Sequence, residues 1–371
     1  MGLGLYIHIP FCASRCPYCD FAFVVRKGHL AGRYADAVIR EIHSRLPDTG
    51  AHPVCRTVYF GGGTPSSVPP EYLQRILHAV RENADIASGA EITVEANPGD
   101  RDRFAALRQM GVNRLSLGIQ ALDDRRLKAL GRLHNAADAR AAYRAARCAG
   151  FENVNIDLIF GAPEQSLCGW QDTLDRAIAL RPEHLSVYGL TVEPGTAFGR
   201  RFAKGRLPLP PEEDQAAMYG AALDRLAGAG YRHYEISNFA RPGLEAQHNL
   251  DCWQRRPYLG VGLSAHAFLN GRRSWNVRNL ASYMDRVEAS GNAVENEEDL
   301  SSEQRFLEQL MLGLRQIKGV PEALVCGFRM APALNRLLAN RLLERHDGHV
   351  RLTRSGLLLA DLVCAELVKE T

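Results

Sequence analysis

The sequence predicts an α/β protein: a partial (β/α)6 barrel, like an incomplete TIM barrel, followed by a smaller, mostly helical C-terminal domain of winged-helix character. Three observations predict this fold. Short β-rich runs alternate with amphipathic helical runs over about the first 200 residues. Polar residues and glycines recur where the β-rich runs end. After that point the alternation weakens, and the last part of the chain is mainly helical.

The alternation predicts a parallel sheet, because a helix usually crosses over between two parallel strands. The predicted strands, rich in β-branched and aliphatic residues, are residues 5–10, 57–62, 91–97, 114–120, 154–161 and 184–193. The predicted helices, with apolar residues at helical spacing, are residues 33–46, 70–83, 101–111, 138–150 and 170–180. Six such units predict an open or partial barrel rather than a complete eight-fold one.

Ligands of parallel sheets and barrels bind at the carboxyl ends of the strands. In this sequence Cys12 follows the first strand, and the glycine turn 61–64 follows the second. Glu95 lies in the third strand, Gln120 closes the fourth and Asp157 lies in the fifth. A purely structural protein has no need of so many polar groups at one edge, so we expect a ligand site there.

The chain divides into three predicted regions: a barrel domain over residues 1–235, a connecting segment over 236–299 and a C-terminal domain over 300–371. A helix predicted at 212–230 follows a loop rich in proline and charge. The C-terminal domain begins as helix, then carries the β-rich run "HVRLTRSG", and ends in a helix predicted over 355–368. That order of elements resembles a small winged-helix module.

Composition and charge limit the classes of function. The 371-residue chain is 46% hydrophobic and 23% charged, as expected of a packed globular protein. The net charge is +3, and residues 301–371 hold ten Lys and Arg against eight Asp and Glu, so we expect no nucleic-acid partner. No apolar run approaches the roughly 18 residues that span a bilayer, and the start lacks the basic region of a signal peptide. We therefore expect a cytoplasmic protein without a transmembrane segment.

Three of the nine cysteines, Cys12, Cys16 and Cys19, lie within eight residues. A redox dithiol of Cys16 and Cys19 leaves Cys12 unexplained. A structural zinc site needs a fourth ligand, and the candidate, His8, lies in a strand whose neighbours are apolar. A [4Fe–4S] cluster is the third interpretation, because thiolates are its usual ligands and three of them leave one iron open. The scattered cysteines are expected as small core residues: Cys55, Cys148, Cys168, Cys326 and Cys364.

The spacing CxxxCxxC, just after the first strand of a βα series, is the pattern of the radical S-adenosylmethionine (SAM) enzymes. Further stretches occur in the order of one family: "YIHIPFC", "VYFGGGTPS", "EANPG", "NRLSLGIQ", "LGRLH", "DLIFGAPEQ" and "YEISNFARPG". Over nearly its whole length the chain resembles the family of the oxygen-independent coproporphyrinogen III oxidases and their relatives, the HemW-type heme chaperones. The resemblance implies a partial (β/α)6 TIM-like radical SAM barrel and a HemN-type C-terminal domain.

The resemblance also implies what the site binds. Cys12, Cys16 and Cys19 would hold a [4Fe–4S] cluster, and SAM would chelate the open iron and be cleaved to a 5′-deoxyadenosyl radical. The residues that match family positions around the cluster, SAM or a second ligand are Tyr6, Tyr18, Gly62, Gly63, Thr64, Glu95, Gln120, Arg132 and Asp157. Glycine lets the backbone approach the methionine amino group because it has no Cβ, and Arg132 suits a carboxylate by bidentate pairing.

Two departures from the oxidase pattern favour the chaperone branch. The oxidases carry a fourth cysteine two residues after the third, where this chain has Phe21. They also carry an N-terminal extension, for which the position of Cys12 leaves no room. We therefore expect heme binding and delivery to acceptor hemoproteins such as respiratory enzymes. The alternative is the oxidase itself, which decarboxylates coproporphyrinogen III to protoporphyrinogen IX, and whether the chain is an enzyme stays open.

The heme ligand implied by the resemblance is His248, in the stretch "HNLDCW". The family pattern there is HNxxYW, so Cys252 stands where tyrosine is usual and adds a second possible ligand, since both histidine and cysteine bind heme iron. His266, in "GLSAHAF", is a weaker candidate that we expect to pack below the rim of the sheet.

Overall fold

In the computed structural model, which describes residues 2–50, 52–325 and 330–369, one large sheet organises the protein. Its twelve described strands are β1 (Leu3–Ile9), β2 (Val54–Gly62), β3 (Asp85–Ala96), β4 (Arg114–Gln120), β5 (Asn153–Phe160), β6 (His184–Gly189), β7 (Arg232–Glu235), β8 (Asn238–Ala240), β9 (Tyr258–Val261), β10 (His266–Leu269), β11 (Arg272–Asn276) and β12 (Val294–Asp299). They follow the spatial order β12-β11-β10-β9-β1-β2-β3-β4-β5-β6-β8-β7. The strands β1 to β6, together with β9 beside β1, run parallel.

The helices of this part of the chain mostly follow the parallel strands, and those that do pack against the outer face of the sheet. They are α1 (Ala31–Arg45), α2 (Pro70–Asn83), α3 (Phe104–Gln109), α4 (Asp124–Ala129), α5 (Ala136–Cys148), α6 (Leu167–Leu180), α7 (Ala197–Phe202), α8 (Glu212–Gly228), α9 (Gln247–Trp253) and α10 (Leu280–Ser290). Among these described helices, and those of the C-terminal region below, none is both long and apolar enough to cross a bilayer.

All six strands and all five βα helices predicted from the sequence are confirmed, with shifted ends. β3 begins at Asp85, six residues before the predicted start, where it pairs with Val54 of β2. β6 ends at Gly189, four residues before the predicted end, and the residues that follow line the cavity described below. The helix predicted over 101–111 starts as a 3₁₀ turn, Pro98–Arg103, before α3 continues it.

The two faces of the parallel strands differ in polarity, because alternate residues of a strand point to opposite sides. On β4, Leu115, Leu117 and Ile119 are fully buried in the main core with the outer helices. The intervening residues line the central cavity: Arg114, Ser116, Gly118 and Gln120. β3 and β5 share this alternation, so the barrel is apolar outside and polar inside.

The sheet continues past residue 235, where the barrel domain was predicted to end. β9 adds a parallel strand at the free edge of β1, with Leu259 opposite Leu5, and β10 to β12 extend the sheet in antiparallel order. The sequence analysis predicted no strands in the segment 236–299. These strands are three to six residues long and lack the apolar runs by which the first six were found. The predicted domain boundaries themselves stay a prediction.

The C-terminal region has a hydrophobic core of its own. It contains α11 (Ser302–Arg315), α12 (Glu322–Val325), α13 (Ala331–Ala339), α14 (Arg354–Leu357), α15 (Ala360–Val368) and the strands β13 (Val320–Pro321), β14 (Leu343–His346) and β15 (His349–Leu352). The strands form a small antiparallel sheet in the order β13-β15-β14, so the prediction of a mostly helical domain with a β-rich run is confirmed. The single last helix predicted over 355–368 is interrupted between α14 and α15.

Candidate functional site

A cavity of about 680 Å³ lies at the carboxyl ends of the parallel strands. Many of the residues predicted from the sequence line it: Cys12, Cys16, Tyr18, Cys19, Gly62, Gly63, Thr64, Glu95, Gln120, Arg132 and Asp157. Tyr6 and His248 do not line it. The residues predicted at the strand ends therefore lie together in one cavity, while the role of each residue stays a prediction.

Backbone hydrogen bonds shape the loop that carries the three cysteines. The Cys19 N–H donates to the Cys16 carbonyl at 3.2 Å, which closes a tight turn. The Phe198 N–H, at the start of α7, donates to the Pro17 carbonyl at 2.8 Å and fastens this turn to the barrel. Cys12, Cys16 and Cys19 are all free and partly buried, so their sulfurs are available to a cofactor in the cavity.

The three cysteines are partly buried and lie beside a cation. Burial raises the pKa of Cys12 to about 11 and also raises the pKa of Cys19. Arg132 Nη1 donates to Cys16 Sγ at 3.3 Å. The Arg132 Nε is buried and has no hydrogen-bond partner within the described residues. The guanidinium therefore has a donor left for a bound ligand.

All three cysteines line the cavity. In the described part of the chain, no three His, Cys, Asp or Glu side chains are close enough to share one metal ion. A structural zinc ion needs such convergence, whereas each thiolate of a [4Fe–4S] cluster binds an iron of its own. His8 is already engaged, since its Nε2 lies 2.7 Å from the Ala22 carbonyl oxygen. The donor set fits a cluster.

The glycine turn after β2 presses the backbone against the cysteine loop. Gly62 has a φ of +113°, in the left-handed region that favours glycine. A Cβ on Gly63 would lie 2.7 Å from the backbone of Pro10. This close approach brings Thr64 Oγ1 to within 3.6 Å of Cys12 Sγ. The glycines therefore allow the close approach of this turn to the cysteine loop, independently of any contact that they make with a cofactor.

Two carboxyl groups face the cavity from β3 and β5. Glu95 accepts hydrogen bonds from the Tyr59 hydroxyl at 2.8 Å and from the Gly62 N–H at 3.1 Å. Burial, aided by the charge of Asp157, raises the pKa of Glu95 to about 7. Asp157 accepts from the Asn155 amide at 2.8 Å, and burial raises its pKa as well. Such acids suit the hydroxyl or amino groups of a polar ligand.

Gln120 ends β4 in a conformation that is unusual for a residue with a side chain. Its φ is +69°, and the register between β4 and β5 shifts just before it. Such a conformation costs on the order of 1 kcal/mol or more and is found most often at functional sites. Here it places Gln120 on the cavity wall.

His248 lies inside the barrel, next to the cavity wall rather than on it. Its side chain is 5% exposed, its Nδ1 lies 2.9 Å from Thr57 Oγ1, and its ring stacks on that of Tyr59 at 5.1 Å. Burial, together with the charge of Arg114, lowers the pKa of His248 to about 4. The imidazole is therefore neutral at neutral pH. The Tyr6 ring lies 6.3 Å from that of His248, in the same interior layer.

Two expectations about dispersed residues were wrong. His266 does not pack below the rim of the sheet, because it is exposed on β10 and stacks on Trp275. Cys148 and Cys168 are exposed rather than in the core, because both lie on the solvent side of amphipathic helices.

The remaining cysteines were placed as follows. Cys55 and Cys364 are buried, as expected, and Cys326 lies outside the described residues. Cys252 is partly buried, and burial raises the pKa of its thiol to about 12.

Sequence analysis missed several polar residues of the barrel interior. Asn97 lines the cavity and bonds to both Thr64 and Arg132. Arg114, 2% exposed, lies at the cavity wall 3.8 Å from Glu91. A signal for both was available, because Asn97 lies in the stretch "EANPG" and Arg114 shares its strand face with Gln120.

Exposed apolar side chains stand at the mouth of the cavity. Phe21, at the position of the oxidases' fourth cysteine, is 70% exposed, and Leu133 is 76% exposed. Tyr188 adds a third exposed ring on the same cavity wall. Large apolar groups that face water around a cavity are typical of a binding site.

Comparison with known protein families identifies both parts of the chain. The sequence model of the Radical SAM superfamily matches residues 6–177. The model of the HemN C-terminal domain matches residues 300–359. The two matches fall on the barrel and on the helical region with its small sheet, respectively.

Similar proteins span the full length of the chain. It is 36% identical to "Heme chaperone HemW" of Bacillus subtilis (strain 168), covering 98% of this chain and 99% of the relative. It is 34% identical to "Heme chaperone HemW" of Escherichia coli (strain K12), covering 98% of each. The structure is similar to that of coproporphyrinogen III oxidase (HemN) from Escherichia coli, a radical SAM enzyme, with a TM-score of 0.86, 26% identity and coverage of 100% and 91%. The chain belongs to the HemW-type heme chaperones of the oxygen-independent coproporphyrinogen III oxidase-like radical SAM family.

Proposed function

We propose that this chain holds a [4Fe–4S] cluster on Cys12, Cys16 and Cys19, binds SAM beside it, and carries heme to acceptor hemoproteins. The observation that carries the proposal is three free, partly buried cysteines of one short loop at the mouth of a 680 Å³ cavity, in a chain of the HemW type. When bound, such a cluster would leave one iron without a thiolate and would supply electrons to the sulfonium of SAM.

The cavity wall offers complementary groups for the methionine and ribose parts of SAM. The Arg132 Nε, which has no partner within the described residues, suits the methionine carboxylate. Glu95, Asp157 and Gln120 present oxygen and amide groups to the ribose and the amino group. Gly62, Gly63, Thr64 and Tyr18 complete the wall nearest the cysteines. Tyr6 stays a prediction as a contact, since it lies one layer behind the wall.

For heme we propose His248 as the ligand of the iron. A neutral imidazole is the form that binds iron, and the lowered pKa of His248 keeps it neutral across the physiological range. At 5% exposure, however, the ring is closed to a macrocycle. Coordination by His248 therefore requires α9, which carries it, to move. Cys252, on the same helix, is the alternative ligand.

The exposed apolar side chains at the mouth of the cavity support the proposal that an apolar macrocycle passes there. Phe21 and Leu133 offer uncovered apolar surface at the cavity mouth, and a porphyrin has two broad apolar faces. In the oxidases a cysteine stands at the position of Phe21, so this chain has a large exposed apolar side chain where they have a small thiol. This difference favours carriage of heme over decarboxylation of coproporphyrinogen III.

Two assays on one preparation test the proposal. After anaerobic reconstitution we expect roughly four irons per chain, and titration with hemin should then give a saturable Soret band. Coproporphyrinogen III with SAM and a reductant should remain unconverted. Formation of protoporphyrinogen IX would instead establish the oxidase, and a chain without iron would overturn the cluster. The cytoplasmic location and the identity of the acceptor stay predictions.

A further inference from the structure

A series of hydrogen bonds joins two of the three proposed cluster cysteines through Asn97, a residue that was not among the predicted site residues. Arg132 donates from Nη1 to Cys16 Sγ at 3.3 Å and from Nη2 to Asn97 Oδ1. Asn97 Nδ2 donates to Thr64 Oγ1 at 2.9 Å. Thr64 Oγ1 in turn lies 3.6 Å from Cys12 Sγ. Asn97 thus stands in the middle of a connection between Cys12 and Cys16.

The donor and the acceptor in each of these hydrogen bonds follow from the chemistry of the groups. A guanidinium has only donors, so the atom of Asn97 that faces Arg132 must be the oxygen. The amide nitrogen of Asn97 then faces Thr64 and donates to its hydroxyl oxygen. Because that oxygen already accepts from Asn97, the hydroxyl hydrogen of Thr64 is free to point at Cys12.

We propose that Asn97 is a positioning residue that directs the Thr64 hydroxyl onto the sulfur of Cys12 and holds the Arg132 guanidinium on the sulfur of Cys16. Hydrogen bonds to thiolate sulfurs raise the reduction potential of an iron–sulfur cluster and fix the orientation of its ligands. The inference rests on the proposed cluster, but the arrangement of donors exists in the protein before any metal binds.

The surroundings of Asn97 are shaped to keep it in place. Arg132 Nη2 also donates to the Gly118 carbonyl at 2.9 Å, which fixes the far end of the guanidinium. A Cβ on Gly118 would lie 3.1 Å from Asn97 Oδ1 and 3.5 Å from Arg132 Nη2. The glycine therefore leaves just the space that the amide and the guanidinium occupy.

The substitution Asn97→Asp tests the direction of the bonds without a change of shape. One aspartate oxygen still accepts from Arg132, but the other now accepts the hydroxyl hydrogen of Thr64, which turns away from Cys12. We expect the reconstituted cluster to shift to a lower reduction potential. Thr64→Val, which removes the hydroxyl, should shift it in the same direction, and Thr64→Ser should restore it.

Thr64→Val adds no charge and so separates the loss of the hydroxyl from the charge that Asn97→Asp brings near the cluster, and Asn292→Asp is the control for an added charge elsewhere on the protein. Asn292 is exposed, and its Oδ1 accepts from the Val294 N–H, a bond that aspartate keeps. Because an exposed charge far from the cavity is screened by salt, this variant should keep the wild-type potential. An equal potential in Asn97→Asp, Thr64→Val and wild type would overturn the proposal.

A second measurement on metal-free protein separates this inference from the proposed cluster. A donated hydrogen bond favours the thiolate, the form that reacts with iodoacetamide. At one fixed pH, Cys12 should therefore react about five-fold more slowly in Asn97→Asp and in Thr64→Val, while Cys19 serves as the internal reference. Unchanged Cys12 rates would overturn the role of Asn97 even if iron binds. A colourless wild type with the expected Cys12 rates would overturn the cluster alone.

Discussion

Glu95 contributes a pH-dependent part of the stability that a single substitution should reduce. Its pKa is about 7 in the folded state against 4.5 as the ordinary value, so between these values only the folded state holds the proton. The free energy of unfolding therefore falls as the pH rises from about 4.5 to 7. In Glu95→Gln we expect this fall to be smaller by on the order of 2 kcal/mol, as measured by urea unfolding of the metal-free protein at several pH values.

The control for this prediction is Glu295→Gln, which removes an exposed carboxylate of β12. In this variant the free energy of unfolding should depend on pH as it does in the wild type. Asp157, whose pKa is also raised, contributes in the same direction and remains in both variants. If Glu95→Gln and wild type lose stability equally over this window, the carboxyl of Glu95 is not the group responsible.

Cys16 should be indispensable to the proposed cluster, because it is one of only three thiolates that the proposal assigns to it. After anaerobic reconstitution we expect Cys16→Ala to lose most of the roughly four irons per chain. Cys168→Ala removes an exposed cysteine of α6 and should keep them. Iron analysis and absorbance near 400 nm make the measurement, and equal iron in both variants would contradict the assignment.

For individual residues, the sequence was enough to locate those that line the cavity but not the hydrogen bonds between them. Glu95, Gln120 and Asp157 could be found because each stands near a strand end, where parallel strands converge. The bond from Asn97 to Thr64 could not be found, because it joins loops 33 residues apart whose approach depends on the sheet. Nor could the burial of His248, which depends on how a short helix packs against three strands.

Among the elements, the strands that curve around the cavity were the most predictable. β1 to β6 combine an apolar outer face with polar residues at alternate positions, and each is followed by a recognisable helix. β7 to β12 are short, and their pairing is set by neighbours rather than by their own pattern. The segment 236–299 was for that reason described as a connection, although β9 completes the edge of β1.

The short helix α9 is the element that must move if His248 binds heme iron. It has seven residues and no side-chain cap. Instead, the N–H groups of Gln247 and His248 donate to the carboxylate of Glu91 at 3.0 and 3.1 Å. A helix this short depends on tertiary contacts for its stability. It can therefore open without unfolding the barrel.

We accordingly predict that hemin loosens α9. Hydrogen–deuterium exchange of residues 247–253 should become faster on addition of hemin, whereas binding without movement would leave it equal or slower. In His248→Ala the change in exchange should disappear and the affinity for hemin should fall about ten-fold or more. His266→Ala, which removes an exposed histidine, should behave as wild type. Unchanged hemin binding in His248→Ala would exclude it as the ligand.

At the scale of the whole molecule, the C-terminal domain contacts α9, the helix that must move if His248 binds heme iron. α11 lies against α9, where the Arg315 guanidinium sits 4.7 Å from the centre of the Trp253 ring. Arg255, just after α9, pairs with Glu308 of α11 at 3.4 Å. If His248 binds heme iron, these contacts would therefore restrain the movement of the helix that carries it.

Loss of the Arg315 contact should thus speed the entry of hemin. A cation over an aromatic ring contributes roughly 1 kcal/mol, so Arg315→Ala should raise the rate of hemin binding by about five-fold, as followed by stopped-flow absorbance. The variant also leaves the buried Glu235 without its nearest cation, so it should unfold more easily.

Arg354→Ala breaks a comparable contact between the two domains, that with Asp224 of α8, but lies away from α9. It should lose stability without a gain in rate. If both variants bind hemin at the wild-type rate, the C-terminal domain does not hold α9, and heme reaches its ligand by another route.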